Sequence, residues 1–287
     1  MSNKDTLSNI KKLRELTGVG FKDCKIALDE SNGDLDKSIE FLRKKGIAKA
    51  SKKMSRTASE GLVLVKETKG EISTIEINSE TDFVAKNEEF ISFCKELSEL
   101  NFENKGDLDK INNSKMKNGI SVKENLVSLI AKIGEKIIIR RASFFNNKNG
   151  SNYFYVHSSI EKNIGKIISV VKLDGVTEKN KDLGNKISMH IAATNPLAID
   201  GDSIDKKIID KEIEIIEAEI INSGKPKEMA SKISKGKISK FINDNSLLNQ
   251  IWIMDPKKKV SDILKENRVD KDIKILDFIR YKVGEGV

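Results

Sequence analysis

The chain has 287 residues, of which 38% are hydrophobic and 33% charged, with a formal net charge of +8. That length holds one large domain or two to three smaller ones. No apolar run approaches the roughly 18 residues of a membrane span, and Met1 to Thr6 lead straight into an amphipathic pattern with neither a signal-peptide core nor an Arg-rich transit segment, so a cytoplasmic protein is expected.

Residues 5 to 50 read as a compact three-helix unit. Leu7, Ile10, Leu13 and Leu16 recur at three-residue spacing on one side of the first helix, and Gly18 and Gly20 break it. Phe21 to Ser31 form a second helix with Cys24, Ala27 and Leu28 on one side. Asn32-Gly33 is a stop signal, and Asp34 is the candidate N-cap of a third helix whose stripe is Leu35, Ile39 and Leu42. So small a unit has a thin core and suits docking better than catalysis. Residues 46 to 60 form a polar linker, helical at its start.

The period then changes. Residues 61 to 66 and 71 to 78 read as two strands joined by a Lys69-Gly70 turn. Next comes Ser79-Glu80-Thr81-Asp82-Phe83-Val84-Ala85-Lys86-Asn87, where an acidic residue stands beside a large apolar one at a junction between elements. Such a pair suits insertion into a partner. A helix through Phe90, Phe93, Cys94 and Leu97 follows, then an irregular stretch at 101 to 120, a helix from Val122 to Ile133 and a strand at 136 to 141. Strands at 152 to 157 and 166 to 173 precede a helix carrying Leu183, Ile187 and Ile191 that ends before Pro196. Strand, strand, helix thus occurs twice, as in a core of two similar halves.

From Asp205 to Ser223 the chain is helical, with Ile209, Ile213, Ile216 and Ile220 on one side. Gly224-Lys225-Pro226 ends that helix and starts another, lined by Met229, Ile233, Ile238, Phe241 and Ile242. Two helices so tightly joined should pack antiparallel as a protruding hairpin. A short helix near Val260 to Lys265 follows, and Ile273, Ile275, Ile279, Tyr281 and Val283 then alternate at strand period, returning the chain to a sheet. The expected division is a docking domain and linker at 1–56, core halves at 57–145 and 146–204, a helical hairpin at 205–248 and a C-terminal module at 249–287.

No phosphate loop, nucleophile elbow or His-Glu-x-x-His pattern occurs, which favours a binding protein over an enzyme. Cys24 and Cys94 lie outside any Cys-x-x-Cys pair and read as reduced thiols. His157 and His190 are too few for a zinc site, so neither metal nor cofactor is expected. RNA binding would need stacking aromatics. The aromatic content is 5%, and Phe144-Phe145 and Tyr153-Phe154-Tyr155 read as sheet packing. The basic runs Arg43-Lys44-Lys45, Lys52-Lys53 and Lys257-Lys258-Lys259 read as solvated surface.

Several motifs stand in one order: Leu13 to Leu28; Asn32-Gly33-Asp34; Leu42 to Gly46; Thr81-Asp82-Phe83-Val84-Ala85-Lys86-Asn87; Lys132-Ile133-Gly134-Glu135; Arg140-Arg141; His190-Ile191-Ala192-Ala193; Ser223 to Glu228; and Val283 to Gly286. Together they resemble the translation elongation factor Ts family over nearly the whole chain. The resemblance implies an α+β fold with a three-helix domain like a ubiquitin-associated domain, a two-part core with antiparallel sheets, a coiled-coil hairpin and a C-terminal module. It also implies guanine-nucleotide exchange on elongation factor Tu, bound in its GDP and nucleotide-free forms, with no membrane or specific nucleic acid as partner. Thr81, Asp82, Phe83 and Val84 would form a wedge that disturbs the partner's Mg²⁺ and phosphate site. Arg14 and Lys25 would dock on its nucleotide-binding domain, and His157 would make a second contact, although Ser158 to Asn163 depart from the family's shorter turn there. Plainer readings stay open: Phe83 as a core residue, Asp82 as an N-cap, Arg14 and Lys25 as solvated charges, His190 as a packed helix residue. The alternative function is that of a basic translation-associated RNA-binding protein, whose affinity would fall steeply with salt.

Overall fold

The computed structural model describes residues 3–17, 19–222 and 227–287. Gly18 and the Ser223-Gly224-Lys225-Pro226 link, given breaker and turn roles above, lie outside the described residues. The fold is α+β, with two antiparallel sheets.

Helices α1 (Asn3–Thr17), α2 (Phe21–Glu30) and α3 (Leu35–Ser51) pack through Ile10, Leu13, Cys24, Ala27, Leu28 and Leu42. The stripe expected on α1 is narrower than its spacing suggested, because Leu7 and Leu16 are exposed. At 3.6 residues per turn, each three-residue step falls short of a full turn by about 60°, so three steps sweep about 180°. Asp34 caps α3 as expected, accepting the Lys37 N–H at 3.0 Å.

The chain continues through β1 (Glu60–Thr68), β2 (Glu71–Ser79), α4 (Asp82–Ala85), α5 (Glu88–Glu103), α6 (Leu108–Asn113), α7 (Val122–Ile133) and β3 (Ile137–Phe145). Lys69 and Gly70 both have positive φ, 52° and 78°, which lets the β1–β2 hairpin twist with its strands. The α6 helix corrects the expectation of an irregular 101–120. Asp107 caps it through the Asp109 and Lys110 N–H groups, and Ile111 is fully buried. Helix α3 packs on α7, where a side chain added at Gly46 would touch Ala131 at 3.4 Å, and Arg43 pairs with Glu124. This joins the N-terminal helices to the core.

Next come β4 (Ser151–His157), β5 (Ile164–Gly165), β6 (Ile167–Asp174), α8 (Asp182–Thr194), α9 (Lys206–Asn222), α10 (Lys227–Asn245), a 3₁₀ turn at Leu247–Asn249, α11 (Val260–Glu266) and β7 (Lys274–Lys282). The sheets run β3-β2-β1-β5 and β4-β6-β7. The two-residue β5 was not expected from the sequence, and it places the chain after β4 on the edge of the first sheet.

The sheets lie back to back with helices outside. Leu62, Leu64, Ile75 and Ile77 face Phe90, Leu97 and Ile130 of α5 and α7. On the opposite face, Val63, Val65 and Ile72 meet Ile168, Val170 and Tyr281 of the second sheet. That sheet's outer face buries Val171 and Leu173 under Leu183, Ile187 and Ile191 of α8 and Val260 and Leu264 of α11. Burial on both faces explains why β1 and β2 carry apolar runs rather than clean alternation. Phe145 joins the inter-sheet core, Phe144 meets Phe102 edge-on, and Tyr153 covers Gly184, as their strand setting suggested. Helices α9 and α10 pack on each other, with a Lys237–Glu219 ion pair between them.

Among the described residues, one acidic side chain lies fully inside. The buried Glu76 carboxylate accepts from Arg140 Nη1 (3.0 Å), Arg141 Nε (2.5 Å), Asn78 Nδ2 (3.1 Å) and the Gly284 N–H (3.0 Å). Gly284 sits at φ 72°, where an added Cβ would lie 2.0 Å from the Ser59 carbonyl oxygen. Thus Arg140-Arg141 and Val283 to Gly286, two motifs far apart in sequence, meet on one carboxylate that sequence reasoning had not singled out.

Candidate functional site

The Thr81–Val84 segment occupies the junction where β2 leaves the first sheet. Ser79 is the last paired residue of β2, and its hydroxyl donates to the Thr81 carbonyl at 2.9 Å. The chain then makes one helical turn, α4. Successive residues of a helix point about 100° apart, so a single turn can face two ways at once. Val84 and Ala85 enter the core beneath β1 and β2, while Phe83 points to solvent with 79% of its surface exposed. The reading of Phe83 as a core residue is therefore excluded.

Asp82 is not the cap of the following long helix. It is the first residue of α4, and Asn87 caps α5 by accepting the Glu89 and Phe90 N–H groups at 3.0 and 3.1 Å. Asn87 sits one residue before the long helix, whereas Asp82 lies a full turn too early. The Asp82 carboxylate instead accepts from Lys86 Nζ at 2.7 Å. That hydrogen bond, aided by the charges of Lys86 and Lys166, holds its pKa below the usual carboxylate value. Lys86 Nζ also lies 5.9 Å from the Phe83 ring centroid. The turn thus presents an exposed aromatic ring beside an ionised carboxylate, with one lysine bonded to the carboxylate and its ammonium near the ring.

Two further carboxylates hold the segment from below. Glu135 accepts the Thr81 N–H at 3.0 Å and the Thr81 hydroxyl at 2.8 Å. Glu80 accepts the Lys136 N–H at 2.5 Å and Arg56 Nη1 at 3.2 Å. Burial raises the Glu80 pKa, but these donors outweigh it and leave the value lowered. The sequence signal for Glu135 was its place in the Lys132–Glu135 motif, which named no role for it.

The other predicted residues stand on different elements. Arg14 and Lys25 are exposed on α1 and α2. His157 ends β4 at the surface, its Nδ1 3.1 Å from the Tyr155 hydroxyl. His190 is buried in α8, stacked on Trp252 with ring centroids 5.1 Å apart. Its Nε2 faces the Gln250 side-chain oxygen at 3.0 Å and its Nδ1 faces the Ile253 N–H at 3.4 Å, which makes Nε2 the donor. Burial lowers its pKa. It packs, as the plainer reading expected. Among the described residues, no group of three or more His, Cys, Asp or Glu is placed to hold a metal ion, and no helix is long and apolar enough to cross a membrane.

The family model described as Elongation factor TS matches residues 80–285, beginning at the segment just described. Elongation factor Ts of Zymomonas mobilis is 39% identical over 98% of this chain and 93% of its own length. The Gluconobacter oxydans protein of that name is 38% identical over 98% and 93%, and the Rickettsia prowazekii one 40% over 97% and 91%. With a family match over most of its length and relatives aligned nearly end to end, this chain belongs to the elongation factor Ts family.

Proposed function

We propose that Thr81, Asp82, Phe83 and Val84 form the wedge through which this chain acts. As a member of its family, it is a guanine-nucleotide exchange factor for elongation factor Tu in translation elongation. The observation that carries the proposal is the 79% exposure of Phe83 on a turn whose next two residues are buried. A large aromatic ring left in water by a rigid support gains on entering an apolar slot, by up to about 1.5–3 kcal/mol for complete burial.

The partner's nucleotide is held partly through Mg²⁺, which demands near-octahedral oxygen geometry. Phe83 supplies the apolar wedge and Asp82 a competing polar contact. Displacing a packed element of the partner by about 1–2 Å is enough to spoil metal and phosphate contacts together. Exchange is then negative coupling between two ligands of elongation factor Tu, and the coupling is reciprocal: this chain weakens GDP and GDP weakens this chain by the same factor. No bond in this chain is made or broken in that scheme.

The remaining assignments share this framework. Helices α1–α3, at 1–56 with the linker, act as a ubiquitin-associated-like docking domain, with Arg14 and Lys25 meeting the partner's nucleotide-binding domain. Residues 57–145 and 146–204 are the two core halves, and His157 makes a second contact. Helices α9 and α10, at 205–248, are a protruding coiled-coil hairpin, and 249–287 is a C-terminal module. The partner is met in its GDP-bound and nucleotide-free forms in the cytoplasm, without a role for membrane or specific nucleic acid.

The test is stopped-flow release of a fluorescent GDP from elongation factor Tu. The wild type should accelerate release strongly. Phe83→Ala should reduce the acceleration by roughly thirtyfold, the equivalent of about 2 kcal/mol of lost aromatic burial. An unchanged rate with Phe83→Ala would remove the wedge. No acceleration by the wild type, with an active partner, would remove the exchange mechanism.

A further inference from the structure

The ladder between β2 and β3 ends at the pair Ser79 and Ile137. The next contacts between these two chain segments are made by side chains. Glu80, one residue past β2, accepts the backbone N–H of Lys136, one residue before β3. Glu135, one residue further out, accepts the backbone N–H of Thr81 in return. The two carboxylates thus take up backbone N–H groups just beyond the last rung of the ladder. A side-chain acceptor reaches further than a backbone one, so the segment can leave the sheet while its N–H groups stay bonded.

Thr81 shows what this arrangement displaces. It occupies the N-cap position of α4 with extended φ and ψ of −124° and 160°, yet its side chain accepts no cap hydrogen bond. Its hydroxyl donates to Glu135 instead, at 2.8 Å. A helix of four residues has no stability of its own, since nucleation alone is unfavourable. Its direction is therefore set by its two anchors. One is the burial of Val84 and Ala85 in the core. The other lies at the Thr81 end, where Glu135 makes a double contact beside the Ser79 hydroxyl's bond to the Thr81 carbonyl. Phe83 and Asp82 lie between them.

We infer that Glu135 is a positioning residue for nucleotide exchange, which aims Asp82 and Phe83 by holding the Thr81 end of their turn. The inference rests on the reading of Thr81–Val84 as the wedge. A group that must enter a partner's slot performs best when it is fixed beforehand by a supporting shell, because a loose one must be ordered at the moment of contact. Glu135 touches neither partner nor nucleotide in this role.

The test uses the full chain with Glu135→Ala, Glu135→Gln, Thr81→Val and Phe83→Ala, each confirmed as folded by circular dichroism at the assay temperature. GDP release from elongation factor Tu is followed across a range of exchange-factor concentrations. Glu135→Ala should lower the maximal release rate about tenfold, with a smaller change in the half-saturating concentration. Glu135→Gln should stay within about threefold of wild type, because its amide oxygen can accept the Thr81 N–H and its NH₂ can donate to the Thr81 hydroxyl. Thr81→Val, which deletes the hydroxyl half of the contact, should fall between them. A Glu135→Ala protein that melts earlier yet exchanges at the wild-type maximal rate would overturn the inference, as would a Glu135→Gln protein as slow as the alanine variant. If Phe83→Ala is slow while Glu135→Ala is not, the positioning role fails alone. If Phe83→Ala matches wild type, the wedge fails and the positioning role with it.

Discussion

Replacing Glu76 by glutamine keeps the volume of the side chain and removes its charge. In the native chain the carboxylate serves four donors: two guanidinium groups, the Asn78 amide and the Gly284 N–H. Glutamine offers one carbonyl oxygen and adds an NH₂ donor of its own. With that oxygen in the place of Oε1, Arg140, Asn78 and Gly284 keep their acceptor, but the Arg141 Nε–H and the new NH₂ face each other, two donors without an acceptor in a site whose centre is fully buried. A buried group left unsatisfied costs about 1–3 kcal/mol. The Arg141 side chain is 31% exposed, so water recovers part of its loss, and a total near 3 kcal/mol follows from the lower half of that range. For a chain of this size that corresponds to a fall in Tm of about 6–12 °C. Scanning calorimetry beside Glu99→Gln makes the comparison fair. Glu99 pairs with Lys66 at the surface, and its loss should stay within about 0.5 kcal/mol. If Glu76→Gln melts within 2 °C of wild type (a margin of about 0.5–1 kcal/mol by the same conversion), the meeting of sheet and C-terminal residues on this carboxylate does not hold the fold.

Two further outcomes follow from single groups. The native His190 pKa is lowered by burial, so its contribution to stability is complete above the ordinary histidine value of 6.5 and is lost as pH falls through the lowered native value. Urea unfolding at neutral and at mildly acidic pH should therefore show a larger loss for wild type than for His190→Gln, and equal losses would refute the assignment. Asn87→Ala removes the side-chain acceptor for two N–H groups at the start of α5. It should lower stability by about 1 kcal/mol in the same unfolding experiment, and a change below a few tenths would show that water caps the helix equally well.

Local features of this chain were legible in its sequence, and distant pairings were not. Lys69-Gly70 announces a hairpin because only certain residues take two positive φ angles in succession. Asp34 announces a cap because its carboxylate reaches an N–H three residues on. The stripe on α1 misled at Leu7 and Leu16 because equal spacing in sequence is not equal direction on a 3.6-residue helix. The α6 helix was hidden in a polar stretch in which Ile111 is fully buried. At the site itself, the junction of strand and helix and the pairing of Asp82 with Phe83 stood out in the residues. The exposure of Phe83 did not, because it depends on Val84 and Ala85 taking the core side of a single turn. Glu76 and Glu135 were unreadable for another reason. Their partners are brought to them by strand pairing, and no local period records which strands pair.

The second sheet also has a history in time. Its middle strand β6 pairs with β7, and the rung that joins Asp174 to Lys274 cannot form until all of α8, α9, α10 and α11 have been synthesised. At ordinary elongation rates that interval is about 5–20 s. Throughout it, Ile168 and Val170 can meet the first sheet, but the flank of β6 that β7 will occupy remains open, and Glu76 has its arginines without the Gly284 N–H. Each newborn copy therefore passes seconds on the ribosome with an unpaired strand edge, and the speed of elongation sets how long that edge is available to wrong neighbours.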